Sequence, residues 1–177
     1  MILSTAVRPA TDEFAPYYAK YIDLVSESDA VTALESQRED MLPFLRHLTE
    51  AQGGLRYAPG KWSVRQGLGH VADCERVFAY RALRFARADR TALPGFDESA
   101  YVEAARFDDF TLTSLVEDLD LLRRSTIAMF RSFDEPAWLR RGVANDLEVS
   151  VRALAYMIAG HARHHVRILK ERYLTAA

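Results

Sequence analysis

Apolar side chains recur at every third or fourth position through long stretches of this sequence, and this spacing constrains the fold more than any other feature. The period is that of an α-helix that buries one face and leaves the other in water. The last such stretch places Val151, Leu154, Ile158 and Leu169 on one stripe. Four long helices of this kind predict an all-α protein, folded as an antiparallel four-helix bundle with short extra helices.

Residues that cap helices mark where each helix is expected to begin. Thr11 is placed to start a short first helix, and Asp29 or Ser28 a longer second one. Ser63, followed by Gln66 at the third position, predicts a capping box. The expected helices cover 11–25, from 28 or 29 to about 53, from 64 to about 88, 113–133, and 151–173.

Three features interrupt the helical pattern. Pro43 lies inside the second helix, where it removes a backbone donor, so we expect a kink or a break near Leu42. Residues 89–109 contain Pro94 and several acidic residues, which predicts a long crossover connection with a short helix around Tyr101. A polar break over 134–149 precedes the last helix.

Since no repeat or flexible linker divides the chain, we expect a single domain over 1–177.

Composition argues against two classes of partner. The 177 residues carry a formal net charge of −2, whereas proteins that bind nucleic acids usually present a net basic face. No stretch approaches the roughly 18 apolar residues of a membrane-spanning helix. The N-terminus lacks a basic region followed by a long apolar stretch, and Cys74 is the single cysteine. Both observations favour a cytoplasmic protein.

Three histidines are the candidate metal ligands. His161 and His165 are one turn apart on the core-facing side of the last helix, so both rings can reach one ion. His70, beside apolar residues of the helix that follows Ser63, also faces inward. Facing helices of a bundle can bring ligands to a common point. The alternative is a set of core histidines that are satisfied by hydrogen bonds. Three imidazoles would leave an open coordination position, as in catalytic sites.

The neighbouring residues each have two interpretations. Asp73 is either an acceptor for the outer N–H of a ligating imidazole or an exposed acid on the helix surface. Cys74 is more typical of a small buried apolar residue than of a ligand. His164 either supports the site or is exposed, and it is an alternative partner for His161 at i+3. His47 is expected at the surface.

The last helix does not carry its own general base. The segment from Gly160 to His165 contains no glutamate, so it differs from the His-Glu-x-x-His pattern of metalloproteases. Hydrolysis would depend on metal-bound hydroxide or on a base from elsewhere. The other route is a thiol bound to the metal as thiolate, because the metal lowers the pKa of the thiol.

Three blocks of sequence have the order and spacing of a known family. They are Tyr57-Ala-Pro-Gly-Lys-Trp-Ser63, Gly69-His70-Val71-Ala72-Asp73 with Glu75-Arg76, and Gly160-His161 with His164-His165. Together they resemble the DinB-like superfamily of small bacterial four-helix bundles (DinB/YfiT type), over nearly the whole chain. The resemblance implies a divalent metal ion, zinc or nickel, at His70, His161 and His165, and a homodimer. Members with assigned reactions include transferases and an isomerase that use bacillithiol or mycothiol.

The leading functional hypothesis is a metal-dependent transferase that activates a low-molecular-weight thiol for attack on an electrophilic small-molecule substrate. Candidates to line an apolar pocket are Trp62, Phe78 and Tyr101, and candidates to hold carboxylates are Arg65, Arg81 and Arg84. One alternative is a metal-dependent hydrolase. Another is a metal-binding stress-response protein without catalysis, in which Cys74 or Asp73 closes the metal shell.

Overall fold

The computed structural model describes residues 6–174, so the ends of the domain expected over 1–177 lie outside the described residues. The α-helices in this range are α1 (Ala19–Ile22), α2 (Ala30–Arg46), α3 (Glu50–Gly53), α4 (Val64–Ala86), α5 (Glu98–Ala105), α6 (Leu112–Arg131), α7 (Glu135–Leu139) and α8 (Val151–Ile168). The long helices α2, α4, α6 and α8 form the bundle, which confirms the predicted fold class. Within the described range, no helix has the length and apolarity to cross a membrane.

The four long helices form a closed square in which each contacts two others, in the order α2, α6, α4, α8. One apolar cluster joins the start of α4 to the start of α6 and to the end of α8, and a second joins their opposite ends. Helices α4 and α6 therefore run in one direction, while α2 and α8 run in the other. Since α4 and α6 are parallel, the connection between them must return along the bundle, as the long crossover was predicted to do.

Several helix starts agree with the capping signals. The hydroxyl of Ser63 accepts from the Gln66 amide at 3.0 Å, and the Gln66 side chain accepts from the Ser63 amide at 2.9 Å, which completes the predicted capping box. The carboxylate of Asp29 caps α2 through the Thr32 amide at 2.9 Å. Ser150 caps α8, which continues as a π-helical turn over Leu169–Tyr173.

The first predicted helix is wrong. Residues 11–25 form two short 3-10 turns, Thr11–Glu13 and Pro16–Tyr18, followed by the four-residue α1. Pro16 explains the interruption, since it lacks a backbone donor and disfavours helical geometry at the residue before it. Thr11 is the first residue of its turn, and Ala10 holds the capping position.

Of the kink or break predicted near Leu42, the break does not occur. Helix α2 continues through Pro43 and ends at Arg46, and α3 follows as a separate turn. The carbonyl that loses its partner to Pro43 belongs to Glu39, an exposed residue. Water can hydrogen-bond that carbonyl, so the helix tolerates the proline.

The polar break over 134–149 contains more structure than the sequence indicated. It holds α7 and an antiparallel hairpin of β1 (Arg141–Ala144) and β2 (Leu147–Ser150). The turn residues Asn145 and Asp146 have φ values of 54° and 60°. Asn and Asp tolerate this left-handed conformation better than most residues, which suits a two-residue hairpin turn.

A buried polar layer connects the four helices midway along the bundle. Arg123 of α6 is fully buried and pairs with Glu75 of α4 at 2.8 Å. Its guanidinium also donates to Gln37 of α2, whose amide donates to the Ala159 carbonyl of α8 at 3.1 Å. Removing one partner of such a pair would leave an uncompensated buried charge.

Candidate metal centre

The three predicted ligands meet between α4 and α8. Because these helices are antiparallel neighbours, His70 of α4 faces His161 and His165 of α8. The Nε2 atom of His161 lies 3.1 Å from Nε2 of His70 and 3.1 Å from Nε2 of His165. One ring nitrogen from each of the three histidines lies within 4.8 Å of the other two, so the group could hold a metal ion.

Hydrogen bonds alone do not satisfy this arrangement. A neutral ring nitrogen carries either one hydrogen or one lone pair, so Nε2 of His161 cannot form good hydrogen bonds with both neighbours. A shared cation would accept a lone pair from each of the three rings. Zinc–nitrogen distances of about 2.0–2.1 Å in tetrahedral geometry separate the ligand nitrogens by about 3.4 Å. The observed 3.1 Å is close to this value, so the residues fit a divalent ion.

Burial keeps the three imidazoles neutral. His70 and His161 are 3% and 4% exposed. Burial lowers the pKa of His70 to about 4. Burial, together with the neighbouring His70, lowers the pKa of His165 to about 3. Burial, together with the neighbouring His165 and His70, also holds the pKa of His161 well below its ordinary value. The neutral imidazole is the form that coordinates metals, so the site does not require proton release near neutral pH.

A glycine precedes a ligand on each of the two helices, and each allows a close approach. A Cβ atom at Gly160 would lie 2.0 Å from the carbonyl oxygen of Tyr21, so α1 can pack directly on α8 only with glycine there. A Cβ at Gly69 would lie 2.4 Å from the Phe107 ring. These contacts fix the backbone immediately before His161 and His70.

Aromatic side chains enclose the histidines. The Trp62 ring lies 4.8 Å from the His70 ring, and the Tyr21 ring lies edge-on 5.2 Å from His161. The Sγ atom of Cys74 is 3.6 Å from Nδ1 of His70. Cys74 is buried in the apolar core, where burial raises the pKa of its thiol. The same sulfur is 3.7 Å from Nε2 of His70, so Cys74 is a small buried residue packed beside the His70 ring, and it is not a member of the group that could hold an ion.

Two hollows each have one of the ligand histidines in their walls. One has a volume of about 360 Å³, is mainly apolar and includes His165 in its wall, together with Met41, Trp62, Leu68, Leu119 and Leu169. The other is smaller, about 60 Å³, and includes His161, together with Tyr18, Tyr21, Phe78, Arg81 and Glu98. A molecule bound in either hollow would lie beside a ligand histidine.

Comparison with known proteins identifies the family. The sequence profile of the DinB superfamily matches residues 33–169. The chain belongs to the DinB superfamily. A sequence comparison with curated proteins gives no significant match.

Two solved structures share the fold of this DinB superfamily protein. One is YfiT from Bacillus subtilis, described as a probable metal-dependent hydrolase with an unusual four-helix bundle topology, at 17% identity and a TM-score of 0.66, covering 98% of each chain. The other is a mycothiol-dependent maleylpyruvate isomerase, at 16% identity and a TM-score of 0.63, covering 77% of this chain and 58% of that one. At these identities the likeness concerns the fold.

Asp73 does not join the histidines. Its carboxylate pairs with Arg76 at 3.4 Å, and among the described residues no hydrogen bond connects it to an imidazole. Tyr101, predicted to line the pocket, is 47% exposed and lies with Asp73 on a separate surface hollow. Both residues therefore lie outside the cluster of histidines.

The remaining histidines take peripheral positions. His164 contacts the Tyr21 and His165 rings at 5.4 and 5.3 Å, and it is not a member of the group that could hold an ion. His47 is exposed, as predicted, with Nδ1 at 2.5 Å from the Pro43 carbonyl oxygen. The i, i+4 pair of His161 and His165 is thus the one that meets His70.

The structure separates the three candidate arginines. Arg65 pairs with Glu50 at 2.5 Å, and Arg84 pairs with Asp89, so both have carboxylate partners on the protein. Arg81 alone lies in the wall of a hollow beside the centre.

Tyr21 was missed as a neighbour of the site by the sequence reasoning. The helix on which it was placed is interrupted by Pro16, so its orientation could not be projected. The available signal was Gly160, since a glycine inside a helix, next to a candidate ligand, indicates that another backbone approaches closely.

Proposed function

We propose that this DinB superfamily protein is a divalent-metal enzyme that activates a low-molecular-weight thiol for attack on a small electrophile. The observation that carries the proposal is the convergence of three neutral imidazoles in a group that, among the described residues, includes no carboxylate. Three neutral ligands leave the full charge of a bound divalent ion available to a further ligand. Such an ion, when bound, lowers the pKa of a coordinated thiol or water.

The residues around the site favour a thiol over a water nucleophile. A bound ion would lower the pKa of either ligand, but a free thiol already ionises at about pH 8.5, so a thiol would depend less than water on help from a protein base. Asp73, on the same helix as His70, is a candidate base for a water nucleophile, but its carboxylate pairs with Arg76. The Trp62 and Tyr21 rings shield the imidazoles from water, and the apolar hollow beside His165 suits the apolar part of an electrophile. The mycothiol-dependent isomerase with the same fold supports this choice.

Metal-dependent hydrolysis is the second candidate. It is supported by the fold shared with YfiT, described as a probable metal-dependent hydrolase, over 98% of both chains. Three histidine ligands with an open position are also the ligand set of carbonic anhydrase, which activates water. The two candidates differ in one requirement, since hydrolysis of an ester or amide would proceed without any thiol.

Elemental analysis and single substitutions test the metal ligands. Protein purified without a histidine tag or added metal is expected to contain one divalent ion per chain, zinc or nickel. His70→Ala, His161→Ala and His165→Ala should each lower the occupancy to background. His164→Ala is the matched control and should retain the ion. If His164→Ala loses the ion while His165→Ala keeps it, the ligand assignment is wrong.

An activity assay then separates the reactions. Metal-loaded protein is incubated with bacillithiol or mycothiol and the electrophile monochlorobimane, and in parallel with ester substrates in the absence of thiol. Conjugation above the rate of His161→Ala supports the transferase, whereas thiol-independent ester cleavage supports the hydrolase. Protein that binds one ion but shows neither activity, with a coordination shell closed by protein atoms, would support a non-catalytic metal-binding role.

We further propose that the protein acts as a cytoplasmic homodimer. Analytical ultracentrifugation of the metal-loaded protein tests the oligomeric state. A mass near that of the 20.1 kDa chain would exclude the dimer.

A further inference from the structure

Arg81 is a buried cation without a carboxylate partner. Its side chain projects from α4 and is 4% exposed. Among residues 6–174, no carboxylate lies within ion-pair distance of it. The other deeply buried arginine, Arg123, pairs directly with Glu75. Arginines are seldom buried unless they are paired, so an unpaired guanidinium in a protein interior calls for a ligand.

The surroundings of Arg81 leave most of its donors unused. A guanidinium has five N–H groups, and the described hydrogen bond uses one of them, to the Pro94 carbonyl at 2.8 Å. The rings of Phe78 and Phe96 lie 6.0 and 5.9 Å from the guanidinium carbon. These rings limit the access of water, and a weakly hydrated cation attracts an anion more strongly.

The guanidinium lies in the wall of the small hollow that includes His161. About 60 Å³ is enough for several water-sized groups and hence for a carboxylate. Lys20, whose ammonium lies over the Tyr17 and Tyr21 rings, adds a second positive charge nearby. Glu98 on the same wall is the opposing charge, and burial raises the pKa of its carboxyl. The wall of the hollow therefore contains one cation and one acid, and Lys20 adds a further positive charge outside the wall.

The two hollows differ in chemistry, as two cosubstrates would require. The larger, apolar one borders His165, and the small one, whose wall includes Arg81 and Glu98, borders His161. We propose that Arg81 binds the carboxylate of the thiol cosubstrate, so that the sulfur reaches the metal centre past His161 while the electrophile occupies the apolar hollow. This inference rests on the proposed thiol chemistry and restricts it to carboxylate-bearing thiols. Arg81 is then a residue that determines specificity, through a bidentate guanidinium–carboxylate pair.

Thiol binding to cobalt-loaded protein tests the pairing, because thiolate coordination changes the cobalt absorption spectrum. Mercaptosuccinate and mercaptoethanol are the charged and uncharged probes. We expect Arg81→Gln to weaken mercaptosuccinate binding by about 10- to 100-fold, the range for loss of a charge-assisted hydrogen bond. Mercaptoethanol binding should change by less than about twofold on the same scale. Arg84→Gln, three residues along α4, is the control and should affect neither thiol.

Arg81→Lys keeps the charge but not the fork of donors, so it should recover only part of the affinity for mercaptosuccinate. Equal affinities of wild type and Arg81→Gln for mercaptosuccinate would overturn the inference. The same conclusion would follow if Arg81→Gln weakened both thiols alike.

A measurement on the wild-type protein separates this inference from the proposed function. In zinc-loaded protein, titration with succinate, which has no thiol, should shift the Arg81 Nε–H resonance in NMR spectra more than that of Arg84. If that signal does not move, Arg81 is not a carboxylate site, whatever the cobalt spectra show. If it moves while neither thiol alters the cobalt spectrum, the carboxylate site stands and the thiol chemistry fails.

Discussion

Substitution of Gly160 by alanine tests whether the close approach of α1 and α8 is required. The new Cβ would lie 2.0 Å from the Tyr21 carbonyl oxygen and 2.5 Å from its carbonyl carbon. Ordinary contact begins near 3.4 Å, so α1 would have to move by roughly 1.4 Å. The obstructing atoms belong to the backbone, and no side-chain rotation relieves the overlap.

The expected loss follows from two opposing terms. Overpacking of this kind costs up to about 3 kcal/mol, and replacing a helical glycine with alanine returns about 1 kcal/mol. We expect a net loss of about 2 kcal/mol, or about 4–8 °C in Tm for a chain of this size. Gly67 of α4 is the matched control, because a Cβ there would meet no heavy atom within 4 Å. Gly67→Ala should raise Tm by about 2–4 °C.

Urea unfolding followed by circular dichroism, together with calorimetry, measures both variants against the wild type. Gly160→Ala should unfold at lower urea concentration with an unchanged slope, since the surface exposed on unfolding is similar. A Gly160→Ala protein as stable as Gly67→Ala would refute the argument that these backbones are in contact.

Two further predictions concern ion pairs. Glu27 accepts hydrogen bonds from Arg163, which lower the pKa of its carboxyl from 4.5 to about 2. The stabilisation from this pair is therefore complete above about pH 4.5 and is lost as the pH falls toward 2. Urea titrations across this range should show a shrinking difference in unfolding free energy between wild type and Glu27→Gln, and a constant difference would contradict the prediction. Arg123→Met alone should cost about 3–5 kcal/mol by leaving Glu75 unpaired, whereas adding Glu75→Leu should restore most of that loss.

The helices and the ligand set were accessible from the sequence because their signals are local. Apolar spacing and the Ser63 capping box depend on residues a few positions apart, and the His161–His165 pair follows from the period of one helix. The placement of His70 needed one further assumption, that α4 and α8 are neighbours. In an antiparallel pair, ligands near the start of one helix and the end of the other then meet.

The remaining features depend on contacts between distant segments. Arg65 pairs with Glu50, 15 positions away, and nothing in the local sequence marks that partner. Arg81 could not be distinguished from Arg84 by composition, because the difference lies in the Phe96 ring and the Pro94 carbonyl of the crossover. The hairpin was missed because its strands are four residues long and their burial does not follow the alternation that reveals longer strands.

The buried polar layer has a consequence for how freely this scaffold can vary. Gln37, Glu75 and Arg123 each lie between residues of the two apolar clusters, as His161 does on α8. A helix that slid by one turn would have to break the ion pair inside the protein, so the layer locks the four helices in register. The two apolar clusters at opposite ends of the bundle can then accumulate substitutions independently of each other. The position along the bundle axis at which the histidines meet stays constant. A protein built this way can diversify both ends of its bundle without disturbing the centre.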